Sequence, residues 1–287
     1  MPEILDQQRL SRIKRAFTTR RVPFADVHVL LTQDDLTRYD LRSGDIALAS
    51  VDRIGHHTKI ERCDGRRARL FEGDEIVVAL GARYAPDQFE AEIPTTLRAC
   101  HLAAAGGIAG VVTETHERII RPTEITLLGL LASQWVEPLN LREFTLAKRT
   151  TPIAMPTIGV IGTAMNAGKT TSAAGLIRGL TRAGYRVGAA KVTGTGAGGD
   201  YWYYRDAGAA RVLDFIDVGY AATYREAPEE LEQGVVTLLS ELQSAACDIA
   251  VVEISDGLAQ PETSSLLERP NIRALMPKMV FAARDSA

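Results

Sequence analysis

Short apolar segments separated by glycines and polar turns fill much of the first half of the chain. The segments DIALASVDRI (45–54) and GDEIVVALG (73–81) each predict a strand. Between them, TKIERCDGRRARLF (58–71) alternates around Asp64-Gly65, a pair that is a strong signal for a hairpin. Several short strands in succession indicate a small barrel or a meander.

Other patterns in the first half predict helices and loops. The charged segment MPEILDQQRLSRIKRAF (1–17) predicts a short amphipathic helix, and PTEITLLGLLASQW (122–135) predicts a second short helix with Thr123 as its cap. The segment GARYAPDQFEAEIP (81–94) is polar and aromatic without a regular period, so we expect an ordered loop that faces a substrate. The segment LAKRTTPIAMP (146–156) contains two prolines and predicts a linker.

After Pro156 the pattern changes to strands that alternate with helices. We predict strands at 157–162, 186–192, 247–254 and 278–283, and helices at 169–183 and 228–246. The first of these helices has apolar residues at helical spacing, and CDIAVVEI (247–254) is a continuous apolar run typical of a central parallel strand. This alternation implies an α/β fold with a parallel sheet that is covered by helices on both faces.

Composition and charge narrow the class of protein without identifying it. The length of 287 residues favours two domains, and a content of 46% hydrophobic and 24% charged residues is ordinary for a globular protein. A net charge of −3 gives no general reason to bind nucleic acid or acidic membranes. No apolar run approaches the ~20 residues of a membrane span. Three widely spaced cysteines and a charged N-terminus argue against disulfides, a zinc site and a signal peptide, so we expect a cytoplasmic protein.

The segment GTAMNAGKTT (162–171) is close to a phosphate-binding loop, with one glycine displaced. The signature G-x-x-x-x-G-K-[ST] places its first glycine at Thr163, whereas this chain has it at Gly162. Such a loop needs glycines so that backbone N–H groups can surround phosphate oxygens, a lysine for the terminal phosphates, and a helix N-terminus behind it. A predicted strand precedes Lys169 and a predicted helix begins there, which favours a working loop over a chance Gly-Lys-Thr turn.

Three blocks in this half resemble a known family. The motifs G-T-x-x-x-x-G-K-T from Gly162, K-x-x-x-T-G from Lys191, and VVEISDGLAQP (251–261) are similar, in order and spacing, to those of dethiobiotin synthetase and its relatives in the SIMIBI class of P-loop NTPases. The segment GDYWYYRDAGAARV (199–212) is also similar to a segment of the molybdopterin-guanine dinucleotide biosynthesis adaptors. The loop and the central strand resemble P-loop proteins linked to N-acylation of D-amino acids as well. These motifs cover the segment 157–287 and do not choose among the three groups.

The resemblance implies a role for each matching residue. Backbone N–H groups of the loop would surround the β-phosphate, Lys169 would bridge the β- and γ-phosphates, and Lys191, supported by Thr195, would lie near the γ-phosphate. The implied nucleotide-binding set is Gly162, Thr163, Asn166, Ala167, Gly168, Lys169, Thr170, Thr171 and Thr195. The implied Mg²⁺ ligands are Thr170, Asp200 and Glu253, and the implied catalytic residues are Lys169, Lys191 and Glu253.

Several residues also have a purely structural interpretation. An unpaired carboxylate is costly at the end of a buried strand, which favours a functional Glu253. In contrast, Asp200 could cap a helix, and Lys191 could be a solvated lysine at a strand end. The aromatic run 201–204 either lines a pocket or packs against the N-terminal domain, and packing is the commoner role of aromatic residues. The pair His56-His57 is disfavoured as a metal site, because adjacent residues on a strand face opposite sides.

Two features depart from the pattern of the family. Dethiobiotin synthetase has an aspartate that assists with Mg²⁺ where this chain has Ala164, which questions the synthetase reaction but not nucleotide binding. The chain also stops at Ala287, where relatives continue with further βα units that read the nucleotide base. Either the sheet is short, another subunit completes it, or the polypeptide is truncated, so the choice between ATP and GTP stays open.

The sequence thus predicts a β-rich (α+β) domain of unknown role at 1–150 and a parallel-sheet P-loop NTPase domain at 151–287. The leading hypothesis is an enzyme that binds Mg²⁺ with ATP or GTP and hydrolyses it, or transfers its γ-phosphoryl group to a small acidic metabolite that is thereby activated for ligation or acyl transfer. The alternatives are a nucleotide-dependent adaptor or switch in cofactor biosynthesis and a degenerate loop without nucleotide activity. Neither nucleic acid nor a membrane is an expected partner, and relatives with a site near a subunit interface suggest a homodimer.

Overall fold

The computed structural model describes residues 3–27, 29–132, 137–149 and 152–283. Within these ranges the strands are β1 Glu3–Ile4, β2 Lys14–Arg15, β3 Val29–Leu31, β4 Ile46–Arg53, β5 Lys59–Glu61, β6 Arg67–Arg69, β7 Glu75–Leu80, β8 Arg83–Tyr84, β9 Phe89–Glu92, β10 Ala99–Ala104, β11 Ile108–Thr115, β12 Thr123–Ala132, β13 Thr157–Gly162, β14 Val187–Lys191, β15 Arg211–Asp214, β16 Ile249–Glu253 and β17 Lys278–Ala282. The α-helices are α1 Gln7–Arg12, α2 Lys169–Arg182, α3 Gly199–Asp206, α4 Pro228–Ser244, α5 Pro261–Glu268 and α6 Pro270–Leu275. Short 3-10 helices are present at Phe17–Thr19, Phe24–Asp26, Leu141–Phe144 and Phe215–Val218. None of the helices in the described ranges has both the length and the apolar character that a membrane span requires.

The chain folds into two compact units whose division does not follow the sequence strictly. The first unit runs to Thr145 and also contains the segments Thr195–Gly198 and Gly219–Ala222 from the second half of the chain. The second unit contains the remaining residues from Leu146 onward. Within the first unit the two added segments pair with each other, because the N–H of Gly196 donates to the carbonyl of Ala221 at 2.9 Å.

A closed ring of five strands forms the centre of the first unit. In this ring β12 pairs with β4, β4 with β7, β7 with β11, β11 with β10, and β10 with β12 again. The β7–β11 pair is parallel and the other four pairs are antiparallel. Strands β3 and β1 extend the sheet beyond β12, and β9 and β8 extend it beyond β11. The sequence left open a small barrel or a meander, and this strand pairing is that of a barrel.

The strands of this ring bury apolar side chains on both faces, as β4 illustrates. Ala47, Ala49 and Val51 belong to one buried cluster, whereas Ile46 and Leu48 belong to another. Successive residues of a strand point to opposite sides, so each face of β4 packs against its own core. The segment 46–51 is therefore apolar apart from Ser50, without the alternation of a strand that has one face in water.

The prediction of a short helix at 122–135 is wrong, because Thr123–Ala132 form β12. Thr123, Ile125 and Leu127 are buried while the residues between them are partly exposed, which is the two-residue period of a strand. Thr123 does not cap a helix, since its hydroxyl donates to the carbonyl of His57 at 2.8 Å. The leucines of this segment suit a helix, but its β-branched threonines and isoleucine fit a pleated sheet better. Residues 133–135 of the predicted helix lie outside the described ranges.

The prediction of an ordered loop at 81–94 is also wrong in its secondary structure. Strands β8 and β9 form an antiparallel hairpin here, and Phe89 and Ala91 of β9 are buried between partly exposed glutamates. The turn at Pro86-Asp87 interrupts this alternation, which hid the strands in the sequence. Strands β10 and β11 make a second hairpin, and its turn contains Gly106.

The second unit contains a fully parallel five-stranded sheet in the order β15-β14-β16-β13-β17. Neighbouring residues of β16 pack against opposite layers of helices. Val251 belongs to the cluster that contains Ile177 of α2 and Tyr204 of α3, and Val252 belongs to the cluster that contains Leu238 of α4. The predicted α/β fold, with a parallel sheet covered on both faces, is confirmed.

The described part of the predicted linker is packed on the second unit. Leu146 and Ile153 contact the apolar cluster around α4. The side-chain oxygen of Gln243 accepts hydrogen bonds from the N–H groups of Ala154 and Met155, at 2.8 and 3.0 Å. The predicted linker also includes residues 150 and 151, which lie outside the described ranges. The described residues on either side of them are anchored to this unit and do not form a free spacer.

Candidate phosphate-binding site

Three adjacent strands of the parallel sheet end at the candidate site. Strands β14, β16 and β13 are neighbours, and their carboxyl ends carry Lys191, Glu253 and the loop 163–168 respectively. Lys191 and Glu253 are direct partners in the register of β14 and β16. The carboxyl ends of parallel strands lie at one edge of the sheet, which is where open α/β sheets bind their ligands.

The loop between β13 and α2 turns sharply before the helix begins. Asn166 and Gly168 both have left-handed backbone angles, with φ of 61° and 97°. Gly168 is the N-cap of α2, so the helix begins directly after the turn. The first N–H groups of a helix have no acceptor within the helix, and together with the helix dipole they form an anion-binding end.

The displaced glycine has a reason in the packing of the strand end. Gly162 is the last residue of β13, and a Cβ at this position would lie 2.7 Å from the carbonyl oxygen of Ala282 and 2.9 Å from Cγ of Lys169. Real Cβ atoms do not approach backbone oxygens this closely. Gly162 therefore allows β17 and the side chain of Lys169 to pack against the same point. Thr163, which occupies the glycine position of the usual signature, donates its N–H to the carbonyl of Ala282 at 3.1 Å.

Lys169 is the first residue of α2 and has a relative exposure of 5%. Its Nζ donates hydrogen bonds to the carbonyl oxygens of Ala164 and Asp256, each at 2.7 Å. Burial lowers the pKa of Lys169, and the negative charge of Glu253 opposes that effect. The ammonium group thus joins the loop after β13 to the loop after β16.

Glu253 is a buried carboxylate whose two oxygens are both hydrogen-bonded. Its relative exposure is 1%. Oε1 accepts hydrogen bonds from the hydroxyls of Ser255 at 2.8 Å and Thr170 at 3.2 Å, and Oε2 accepts one from the hydroxyl of Tyr204. The ammonium of Lys191 lies 4.0 Å from Oε1. These contacts compensate the desolvation of a charge that would otherwise be costly to bury.

Lys191 is paired with carboxylates and is not a solvated lysine. Its ammonium forms an ion pair with Asp200, which lies in the first turn of α3, and also faces Glu253. Burial alone would lower the pKa of Lys191, but the negative charges of Glu253 and Asp200 outweigh it and raise the pKa. Lys191 therefore carries its positive charge throughout the neutral pH range.

Tyr204 is a part of the site that the sequence did not identify. The aromatic run 201–204 was expected either to line a pocket or to pack against the N-terminal domain, with packing favoured. Tyr204 is instead buried in a core cluster of the second unit and donates to Glu253. Burial raises the pKa of Tyr204, and the charge of Glu253 raises it further, so the hydroxyl keeps its proton. The spacing of Asp200 and Tyr204, four residues apart on one helix, was the signal available, because such residues share a helix face.

A cavity of about 380 Å³ lies at this edge of the sheet. Its lining comes from the loop before α2, the first turns of α2 and α3, the ends of β14 and β16, and the loop after β16. The residues are Met165, Asn166, Gly168, Lys169, Thr170, Thr171, Lys191, Asp200, Glu253, Ser255 and Asp256. The structure thus places two lysines, three acidic residues and the N-terminus of α2 around a single cavity. That combination suits a phosphate-bearing ligand.

Not every predicted residue reaches the cavity. Gly162, Thr163 and Ala167 belong to the strand end and the loop but do not line it. Thr195 lies in the first unit, where it forms an isolated bridge with Ala222. The cavity is also lined by Met165, Ser255 and Asp256, for which the sequence predicted no role. Ser255 and Asp256 directly follow Glu253, so their position after a central strand was the available signal.

The donor set at the cavity fits Mg²⁺ only as a partner of a phosphate. Thr170 offers a hydroxyl, and Asp200 and Glu253 offer carboxylates that already have protein partners. Among the described residues no group of three or more histidine, cysteine, aspartate or glutamate side chains is arranged to hold a metal ion alone. Mg²⁺ commonly takes one or two carboxylates and completes its octahedron with phosphate oxygens and water. The residues present fit that mode.

The chain is similar to solved structures over part of its length. It aligns with the C-terminal domain of a Sua5 protein from Pyrococcus horikoshii at 15% identity over 46% of this chain and all of that one, with a TM-score of 0.30. It aligns with the signal recognition particle receptor FtsY from Elizabethkingia anophelis at 14% identity over 46% of this chain and 41% of that one, with a TM-score of 0.33. It aligns with the signal recognition particle 54 kDa protein from Aeropyrum pernix K1 at 21% identity over 49% of this chain and 32% of that one, with a TM-score of 0.31.

The last two alignments span less than half of the proteins concerned, each of which was solved in complex with GDP. No protein-family model and no curated protein sequence matches the chain significantly.

Proposed function

We propose that the second unit binds ATP or GTP with Mg²⁺ and transfers the γ-phosphoryl group to a small acidic metabolite, which is thereby activated for ligation or acyl transfer. The observation that carries the proposal is the convergence of Lys169, Lys191, Glu253 and the N-terminus of α2 on one cavity. Such a site can hold a polyphosphate by backbone N–H groups and two cations.

The residues have separate roles in this scheme. Backbone N–H groups from Asn166 to Thr171 hold the β-phosphate, and Lys169 exchanges its two carbonyl acceptors for oxygens of the β- and γ-phosphates. Thr170, Asp200 and Glu253 would hold Mg²⁺, which when bound neutralises charge on the phosphate oxygens.

The transfer step needs positioning and charge neutralisation more than it needs a base. A carboxylate oxygen of the metabolite attacks the γ-phosphorus, the bond from that phosphorus to the β–γ bridging oxygen breaks, and its electron pair leaves with the nucleoside diphosphate. The product is an acyl phosphate, and no proton is removed, since a carboxylic acid is already ionised at neutral pH. Lys191, with its raised pKa, supplies a permanent positive charge beside the transferring group.

A second candidate is a nucleotide-dependent adaptor or switch. Ala164 favours it, because this residue lacks the carboxylate that dethiobiotin synthetase has at the same point of the loop. A switch would hydrolyse nucleotide slowly and would respond to a protein partner, not to a small acid.

The proposal is tested by measuring nucleoside diphosphate and acyl phosphate, trapped with hydroxylamine, in the presence of Mg²⁺, ATP or GTP, and a panel of small carboxylic acids. We expect diphosphate and hydroxamate to form together in the wild type and to be lost in Lys169→Ala. Lys278→Ala, which removes an exposed lysine of the same unit, is the matched control and should retain activity. Diphosphate without hydroxamate, at a rate that no acid changes, would support the switch and contradict phosphoryl transfer.

Nucleotide binding is tested separately by the unfolding midpoint. A ligand at ~100 times its Kd stabilises the folded state by about 2.7 kcal/mol. We expect Mg-nucleotide to raise the midpoint of the wild type and of Lys278→Ala but not that of Lys169→Ala. No shift with either nucleotide in the wild type would show that the loop is degenerate.

A further inference from the structure

The first unit contains a second cavity, of about 380 Å³, that the proposed function does not use. It is bordered by the residues after β4, by the β5–β6 hairpin and by the turn before β9. Its lining consists of His56, His57, Thr58, Lys59, Glu61, Arg67, Gln88 and Ala105. The volume is near the lower end of the roughly 300–1,000 Å³ of small-molecule sites, and nearly all of these side chains are polar.

Glu61 forms one wall of the cavity, and its buried carboxylate is already paired with Arg67. Glu61 has a relative exposure of 5%. Its Oε1 accepts a hydrogen bond from Arg67 at 2.7 Å, and its Oε2 accepts one from the N–H of Gly198 at 2.5 Å. Gly198 belongs to the segment Thr195–Gly198, which is part of the same unit. Both oxygens of Glu61 thus have protein donors, so we do not expect this carboxylate to bind a cationic group of a ligand.

The two histidines contribute neutral rings. They follow β4 instead of lying on it, so the expectation that they face opposite sides of a strand does not apply. Their ring centroids are 4.9 Å apart, and both rings meet Phe89 edge to face. Burial lowers the pKa of His57 to about 4, with a further contribution from the charge of Arg83, and lowers the pKa of His56 for the same reasons.

Lys59 and Gln88 are hydrogen-bond donors of the lining that have a group available for a ligand. His57 Nε2 lies 3.1 Å from the carbonyl oxygen of Ala103, which can only accept, so this nitrogen carries the proton of the neutral ring. Arg83 donates to the side-chain oxygen of Gln88 at 2.9 Å, which orients the amide nitrogen of Gln88 as the group left for a ligand. The lining holds Lys59 and Arg67 against Glu61 and neutral histidines, hence one net positive charge.

We propose that this cavity binds a small organic anion through a carboxylate group, with the ammonium of Lys59 and the amide of Gln88 as its principal donors. Because Arg67 is paired with Glu61, the net positive charge of the lining comes from Lys59. The rings of His56 and His57 form another part of the wall. In this proposal Gln88 would give the segment 81–94, which contains the β8–β9 hairpin, the ligand-facing role expected from its composition. Binding here needs no nucleotide, so the inference goes beyond the function proposed for the second unit.

The test is isothermal titration calorimetry of the full chain with acetate, succinate and inorganic phosphate at low salt. It is carried out in Lys169→Ala, so that the phosphate loop does not contribute an anion site. We expect a carboxylate to bind at one site, and Lys59→Gln to weaken that binding about tenfold or more, which is the effect of losing one charge-assisted hydrogen bond. Arg66→Gln is the matched control, because it removes the same charge from the same hairpin but outside the lining, and it should change binding less than about twofold.

A variant that changes no charge tests whether the carboxylate binds inside this cavity. Ala105→Leu adds bulk to the wall of the cavity and should abolish carboxylate binding, with an unfolding midpoint that confirms the fold. Three results would overturn the proposal: no carboxylate bound in Lys169→Ala, equal weakening by Lys59→Gln and Arg66→Gln, or binding of inorganic phosphate alone. Because nucleotide turnover is measured independently in the wild type, failure of this site leaves the phosphate-loop proposal untouched, and the reverse also holds.

Discussion

Glu253 shows how a single residue can be charged, buried and ordered at once. Its two oxygens accept hydrogen bonds from Tyr204, Ser255 and Thr170, which come from three different parts of the second unit. Each hydroxyl fixes one lone-pair direction, so the carboxylate has a single orientation toward the cavity. A carboxylate held in this way can position a metal ion or a water without a further loss of side-chain conformational entropy.

Removing the tyrosine hydroxyl tests this arrangement. Tyr204→Phe keeps the ring in the core but leaves Oε2 of Glu253 without its hydroxyl donor, so we expect the free energy of unfolding to fall by about 1.5–3 kcal/mol. Mg-nucleotide should also bind more weakly. Tyr203→Phe, at a position that is 45% exposed, is the control and should lie within about 0.5 kcal/mol of the wild type in urea unfolding. Equal stabilities of the two variants would mean that the tyrosine hydroxyl does not hold the carboxylate.

Lys191 gives the site a pH dependence with a defined sign. Its pKa is raised in the folded protein, so its contribution to stability is complete below the pKa of an unfolded lysine, ~10.4, and is lost as the pH rises through the folded value. We expect the stability difference between the wild type and Lys191→Met to be constant from pH 7 to pH 9 and to narrow above about pH 10.4. Urea unfolding across this range measures it, with Lys278→Met as the exposed control. A stability difference between the wild type and Lys191→Met that grows above about pH 10.4 would contradict the raised pKa of Lys191.

At the scale of the elements, the turn from β13 into α2 was predictable and the strand β12 was not. The strand, the Gly-Lys-Thr sequence and the amphipathic helix are local patterns, so each could be identified from adjacent residues. In β12 the two-residue alternation covers only the segment from Thr123 to Leu128, and the four residues after it are all buried, a run whose periodicity does not tell a strand from a buried helix. Only pairing with β4, β3 and β10 decides the matter, and that pairing is not local.

The close packing of β13, β17 and α2 at Gly162 leads to a further prediction. In Gly162→Ala the new Cβ would meet the carbonyl of Ala282 at 2.7 Å and the side chain of Lys169 at 2.9 Å. We expect a loss of about 1–3 kcal/mol in unfolding free energy and a clear loss of nucleotide binding, because overpacking displaces the lysine. Gly175→Ala is the matched control: it lies within α2, and its Cβ would meet nothing within 4 Å, so it should raise stability by up to about 1 kcal/mol. Undiminished nucleotide binding in Gly162→Ala would contradict this explanation of the displaced glycine.

At the scale of the whole molecule, the second unit was far more predictable than the first. The motifs that resemble a known family assigned Lys191, Glu253 and the loop to one site, and the carboxyl ends of the parallel strands that carry them do meet at one edge of the sheet. The hydroxyl donors around Glu253 could not be assigned in this way, since their role depends on where side chains point. In the first unit the ring closes through the parallel β7–β11 pair and through β12 with β4, which are contacts between distant parts of the sequence.

Local sequence patterns also could not predict which residues belong to which unit, because two segments of the second half belong to the first unit. A fragment of residues 1–145 would lack Ala221 from its second core cluster and the N–H of Gly198 that bonds to Glu61. We therefore expect faster hydrogen exchange in the β5–β6 and β10–β11 hairpins of the fragment than of the full chain. Amides in the β12–β4 pair serve as the internal reference. Identical exchange in the hairpins would show that the first 145 residues form a complete domain on their own.

The bonds of Lys169 to the carbonyls of Ala164 and Asp256 have one more consequence. If the proposed polyphosphate takes both of these hydrogen bonds, the loops after β13 and β16 lose a contact that they share. Lys169 thus bridges the loops that follow two neighbouring strands, and under the proposed function nucleotide binding would weaken that bridge.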